Sequence, residues 1–246
     1  MTIKSLINYS PNFNPIKRQK KQIKFIILHY TGMKKESDAI NRLTKIQSEV
    51  SSHYLIKKNG EIVLLVPDLY IAWHAGKSSW KNYKSLNKNS IGIEISNPGH
   101  QFNYKSFSKK QIISLLKLSK FLIKKYKINS KNILGHSDIA PDRKMDPGEK
   151  FPWQYFAKNK VGLWHNIKKI FLEDSRNFKV DALSQKVFLD NLYKLGYSKK
   201  NPKYISKDSY RSFVIKAFQR RYRPELINGK IDKECLIISH NFIKKK

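Results

Sequence analysis

Apolar residues first run together in "KQIKFIILHY" (Lys21–Tyr30), a β-branched and aromatic stretch that predicts a buried strand. The following "KKESDAINRLTKIQSEV" places Ala39, Leu43 and Ile46 at helical spacing. In "HYLIKKNGEIVLLVP" two strand runs flank Asn59–Gly60, a pair suited to the positive φ of a tight turn, and this predicts a hairpin. "SIGIEIS" (Ser90–Ser96) reads as another buried strand. "FSKKQIISLLKLSKFLIKKYKI" carries an apolar stripe through Ile112, Leu115, Leu116, Leu122, Ile123 and Tyr126, started by a Ser108/Gln111 capping box. "KNILGH" is a last short strand. The order strand, helix, hairpin, strand, helix, strand predicts an α/β layer structure: a central mixed β-sheet flanked by helices.

From about Phe156 to Val180 the periodicity weakens. Three helical patterns follow, near Leu183–Leu195, Tyr210–Arg221 and Asp232–Phe242, with "GY" and "NG" punctuation between them. They predict a small three-helix module, and divide the chain into a main domain at 1–175 and a separate helical one at 176–246.

Composition narrows the class. With 246 residues, 40% of them hydrophobic, the chain can bury a sizeable core and is not disordered. No apolar run approaches the roughly 18 residues of a membrane helix. The N-terminal stretch lacks the apolar core of a secretory signal, so a cytoplasmic location is expected. The formal net charge is +32, but Lys supplies most of the 50 basic residues and both parts of the chain are basic. That is the bias of an AT-rich genome more than the clustered Arg of a nucleic-acid reader, so no specific nucleic acid is expected. Cys235 is alone, which rules out an intramolecular disulfide; it reads as a small helix residue.

Position sorts the seven histidines. His29 and His136 both end strand runs, and ten residues after His136 stands Asp146, between Met145 and Pro147. Two imidazoles and a carboxylate are a usual catalytic zinc set, with a fourth position left for water. Spacing alone leaves the alternative of two strand-end histidines with ordinary hydrogen bonds. Glu94 interrupts a strand that otherwise reads as buried. It either faces a solvated sheet surface or points into a site, where a raised pKa would suit a general base. Lys144, two residues before Asp146, could supply charge for an oxyanion.

Four long blocks carry a family resemblance: "FIILHYTGM", "VSSHYLIKKNGEIVLLVPDLYIAWHAGKSSW", "NSIGIEISNPGH" and "GHSDIAPDRKMDPGEKFPW". In this order they resemble zinc-dependent N-acetylmuramoyl-L-alanine amidases of the amidase-2 group, the AmpD and AmiD type. The tail, with "AFQRRYRP" and then "NGKIDKECL", resembles the small peptidoglycan-binding module often attached to such enzymes, though the usual D-x-E-T ending is absent. The resemblance implies that His29, His136 and Asp146 hold Zn2+, that Glu94 is the catalytic base and that Lys144 stabilises the oxyanion. Trp73, His74, Ser52 and Asn97 are expected to contact substrate. More distant relatives carry a Tyr where this chain has Ser52, which leaves the base role to Glu94. The implied reaction cuts the amide between N-acetylmuramic acid and L-alanine in peptidoglycan or muropeptides, 1,6-anhydro forms included. A monomer is expected. The alternatives are a catalytically inactive wall-binding protein and, from the wall-binding tail, a place in the periplasm or cell envelope.

Overall fold

The computed structural model describes residues 3–243. Its strands are β1 (Leu6–Ile7), β2 (Phe13–Asn14), β3 (Phe25–Tyr30), β4 (Tyr54–Ile56), β5 (Ile62–Leu64), β6 (Ile71–Ala72), β7 (Ser79–Trp80), β8 (Tyr83–Lys84), β9 (Ser90–Ile95) and β10 (Ile133–Gly135). Six of them form one sheet in the order β1-β5-β4-β9-β3-β10, while β2/β6 and β7/β8 are short antiparallel pairs. Within the main sheet β4–β5 is the antiparallel hairpin and the remaining pairings are parallel, so the sheet is mixed as expected. Gly60 closes the hairpin with φ +88°, which the Asn-Gly pair anticipates.

The helices are α1 (Glu36–Thr44), α2 (Lys109–Tyr126), α3 (His136–Ile139), α4 (Trp153–Lys158), α5 (Lys169–Glu173), α6 (Ala182–Leu195), α7 (Lys207–Tyr222) and α8 (Lys233–Ile243). Helix α2 starts with the reciprocal Ser108/Gln111 capping box. Helix α1 stops at Thr44, and Ile46 lies in a following 3-10 turn, largely exposed rather than on the apolar stripe. Among the described residues no helix is long and apolar enough to cross a membrane.

Alternation along β3 and β9 assigns the two faces of the sheet. Ile26 and Leu28 of β3 and Ile91, Ile93 and Ile95 of β9 face α2, where they join Leu115, Leu118 and Leu122 in one buried cluster. Each such side chain contributes about 1.5–3 kcal/mol by leaving water. The opposite face takes Phe25, Ile27 and His29 from β3, and Ser90, Gly92 and Glu94 from β9. Its apolar part is covered by the C-terminal helices: Phe25, Ile27, Leu134 and Ile139 share a buried cluster with Phe188, Leu192, Val214, Phe218 and Ile238. The C-terminal helices and this face of the sheet therefore share one core. Farther along the same face Leu43 of α1 packs on Leu55, Val63 and Leu65. Between α1 and the C-terminal bundle the small and polar residues of β9 leave the face open. That gap holds the site.

Candidate metal centre and active site

His29 and Glu94 are register partners on adjacent parallel strands and share a face. Strand β10, paired in parallel with β3, brings the following residues beside them. Strand β10 ends at Gly135, one residue earlier than the expected strand end, and His136 opens the single turn of α3. The chain then bends back so that Ser137 N–H donates to the Asp146 carbonyl (2.9 Å), which brings Asp146 beside His136.

Three atoms converge. His29 Nδ1 lies 3.0 Å from His136 Nδ1 and 2.9 Å from Asp146 Oδ2, and His136 Nδ1 lies 3.1 Å from the same oxygen. All three residues are buried. Neighbouring hydrogen bonds fix where the ring protons are. His136 Nε2 faces the Ala75 carbonyl (3.3 Å), so it carries the proton and leaves Nδ1 as a lone pair. On His29 the same result is reached through a relay. The Ser90 hydroxyl donates to Leu86 O (2.6 Å), so its oxygen accepts from His74 Nε2–H (3.2 Å). His74 Nδ1 then accepts from His29 Nε2–H (3.1 Å), and His29 Nδ1 is the free lone pair. Two nitrogen lone pairs and a carboxylate oxygen point at one place with no proton among them. Such a donor set suits a cation. Tetrahedral zinc with ligands at about 2.0–2.1 Å spaces them about 3.3 Å apart, close to this triangle.

Ionisation agrees with geometry. Burial, then the His136 ring, pushes His29 down to about 4, so it is neutral near pH 7. Burial and the surrounding rings, His29 first, hold His74 well below its ordinary value. Burial alone would raise Asp146, but protonated His136 and His29 rings would hold its carboxyl far below the usual range. Glu94 is pushed the other way, up to about 8, by burial and then by Asp146, with Lys144 opposing. Its Oε2 is shielded from solvent and has no hydrogen-bond partner in the protein. The strand anomaly thus resolves toward a site and away from a solvated face.

A cavity of about 310 Å³ opens on this cluster. Trp73, His74, Glu94, Lys144 and the metal-site trio line it, with Arg42 of α1 and His100 on the rim. Trp73 is partly exposed, whereas His74 is buried beneath it as the partner of His29. Two of the residues expected to contact substrate, Ser52 and Asn97, are not among those that line it. Ser52 is fully buried and its hydroxyl has no hydrogen-bond partner in the protein. Asn97 is buried too, with its amide donating to Lys105 O and its side-chain oxygen accepting from Gly99 N–H; it shapes a loop beside the cavity and does not line it. Arg143, to which the sequence assigned no single role, donates to the Ala75 carbonyl (2.7 Å) and to Lys77 O, tying the Trp73–Lys77 segment to the loop before Asp146. Nothing local in "DRKMD" signals that contact.

Fold and site together define an α/β protein, a mixed sheet flanked by helices, with a His/His/Asp group able to hold a metal. The N-acetylmuramoyl-L-alanine amidase family, Amidase_2, matches residues 19–149, and the chain belongs to that family. It is similar to N-acetylmuramoyl-L-alanine amidase AmiD of Escherichia coli, 36% identical over 236 residues, 91% of this chain and 83% of the relative. The structure of AmiD from E. coli, in complex with the substrate anhydro-N-acetylmuramic acid-L-Ala-D-gamma-Glu-L-Lys, superposes with a TM-score of 0.80 over 91% of this chain and 90% of that one. AmpDh3 from Pseudomonas aeruginosa, 30% identical, matches with a TM-score of 0.78 over 100% of this chain and 98% of its own. Both likenesses extend into the C-terminal helices.

Proposed function

We propose that the chain is a zinc amidase that cleaves the bond between N-acetylmuramic acid and the L-alanine of the stem peptide, in muropeptides that include 1,6-anhydro forms. The observation that carries this reading is the convergence of three proton-free donors beside an unpartnered, half-buried carboxyl. His29, His136 and Asp146 hold the metal. When bound, zinc supplies Lewis-acid polarisation of the scissile carbonyl and makes a water acidic enough to ionise near neutral pH. Glu94 takes the proton from the attacking water, a role suited to a carboxyl whose pKa burial has raised, and returns it to the departing alanine nitrogen. Lys144 faces the same cavity and offers positive charge where the carbonyl oxygen becomes negative. Trp73 supplies an aromatic wall for the substrate.

The C-terminal helices, residues 176–246, are proposed to hold the wall polymer. A cleft of about 770 Å³ between them and the β7–β8 hairpin presents Lys77, Lys81, Lys199 and Lys200 together with Tyr193 and Tyr204, a surface suited to an anionic glycan. Reversing Lys199 and Lys200 to Glu should weaken binding to sacculi and leave turnover of a soluble muropeptide unchanged.

The test of the main reading is zinc content and peptide release from an anhydro-muropeptide, measured for the full chain and for Asp146→Ala. Loss of both in the variant is expected. A stoichiometric metal in the wild-type protein with no released peptide would point instead to an inactive wall-binding protein.

A further inference from the structure

The loop that runs from His136 to Asp146 is held at both ends by one short piece of the C-terminal bundle. At its start, Asp138 is buried, and its Oδ2 accepts from Gly135 N–H (2.8 Å), capping α3. The same oxygen pairs with Arg221 Nη1 at the end of α7, and Oδ1 accepts from the Tyr197 hydroxyl (2.8 Å). Arg221 is itself buried; it donates to Ile133 O (3.0 Å), and its guanidinium lies 4.1 Å over the Trp153 ring. Just beyond the loop, Arg220 Nε stands 4.0 Å from Glu149 Oε2. Glu149 accepts from His100 Nε2 (3.0 Å), and His100 Nδ1 accepts from the Tyr30 hydroxyl (2.9 Å) at the cavity wall. Consecutive arginines therefore straddle the loop that carries two of the three metal-site residues.

The energetics are one-sided. A one-turn helix cannot hold itself, because nucleation is unfavourable and four residues allow no propagation. A buried carboxylate without its cation costs several kcal/mol, so Asp138 stays inside only while Arg221 neutralises it. His136 stands two residues away on that same turn. Its Nδ1 lies near His29 and Asp146 only as long as the turn keeps its place.

We propose that Arg221, with Tyr197, is a positioning residue of the metal centre: the C-terminal bundle completes the site through Asp138 as well as covering the sheet. This rests on the reading that His136 and Asp146 hold the metal. The proposal assigns Arg221 no contact with substrate. Through Asp138, Arg221 would fix where His136 Nδ1 is presented to a bound ion.

The experiment uses the full chain with Arg221→Met, Arg221→Lys and, as a control, Arg176→Met. Arg176 also makes a two-pronged pair with a buried carboxylate, Glu234 (2.7 and 2.9 Å), but within the helical part and away from the loop. Zinc affinity by competition with a chromophoric chelator, the visible spectrum of the cobalt-substituted protein, and kcat and KM on an anhydro-muropeptide are measured below the melting temperature of every variant. Arg221→Met is expected to weaken zinc binding about 10–100-fold, alter the cobalt spectrum and lower kcat with KM little changed, as loss of a group that orients a ligand does. Arg221→Lys should recover part of each. Arg176→Met should lower the melting temperature alone. A folded Arg221→Met with wild-type zinc affinity and cobalt spectrum overturns the proposal, as does an equal effect of Arg176→Met. If Arg221→Met does not fold, Tyr197→Phe removes only the hydroxyl's hydrogen bond to Asp138 Oδ1; a measurable loss of zinc affinity supports the proposal and no change overturns it. A wild-type protein that binds no zinc removes the underlying amidase reading, a different failure.

Discussion

Adding one methyl group beneath His74 should disable the metal centre without touching any of its three donors. A Cβ placed on Gly92 would stand 2.4 Å from His74 Cγ and 2.7 Å from its Cδ2 and Nδ1. Ordinary contact between carbon atoms needs about 3.5–4.0 Å, so the ring must retreat by more than about 1 Å. It has nowhere to go, being buried and held by His29 on one side and Ser90 on the other. A shift of that size stretches the 3.1 Å bond to His29 Nε2 beyond hydrogen-bonding range. His29 then loses the acceptor that keeps its proton on Nε2 and its lone pair on Nδ1. Gly92→Ala is expected to cost about 1–3 kcal/mol of stability from overpacking. It should also weaken zinc binding, and kcat/KM with it, by about 10–100-fold. Chelator competition and muropeptide turnover measure the two losses. The clash requires His74, so Gly92→Ala combined with His74→Ala should be no worse than His74→Ala alone, a marked departure from additivity. Wild-type zinc affinity in a folded Gly92→Ala protein, or full additivity in the pair, would refute the relay argument.

Glu94→Gln should keep bound zinc and reduce kcat by about 10²–10⁴, the usual contribution of a positioned base; turnover near wild type would remove Glu94 from that role. In metal-free protein the folded Glu94 carboxyl keeps its proton up to about pH 8, whereas the unfolded chain releases it near pH 4.3, so folding binds the extra proton in between. Its contribution to stability is complete below about pH 4 and is lost as pH rises through 8. His29 and Asp146 act in the opposite sense, so the quantity to follow is wild type minus Glu94→Gln in urea melts from pH 5 to 9, which should decline with pH; a flat difference would contradict the raised pKa. Phe218→Ala, at the centre of the cluster shared by sheet and bundle, should cost about 3–5 kcal/mol and lower the midpoint of a single unfolding transition. A separate early transition of the C-terminal helices would show instead that the two parts unfold independently.

The candidate positions drew notice locally, Glu94 inside an apolar strand, His29 and His136 at strand ends and Asp146 in a costly charged loop, but their roles came from the family resemblance and not from spacing. The period-two pattern of β9 even contained the answer to which face Glu94 takes, since Ser90 and Gly92 precede it on that side and the isoleucines take the other. Residues that act through distant partners left no such mark. Asp138 meets Arg221 across 83 positions, and Arg143 meets backbone carbonyls, which any residue would offer. How the tail packs was illegible for a related reason. Helical spacing shows which side of a helix is apolar but not whether it packs on sister helices or on a sheet, and here it does both. Ser52 and Asn97 lie next to site elements in sequence yet are turned inward, which proximity along the chain does not reveal.

The pairing of Asp138 with Arg221 also sets a schedule for biosynthesis. The ribosome delivers the two histidines and Asp146 well before the arginine that steadies them, which follows Asp138 by 83 residues. At about 5–20 residues per second the nascent chain carries an unclamped loop for roughly 4–17 s. On the proposed role of Arg221, capture of an ion with native affinity would be a late event, completed after α7 has been made and docked. A ribosome stalled before residue 220 would expose every donor atom of the centre and still lack the arrangement that lets them act as one.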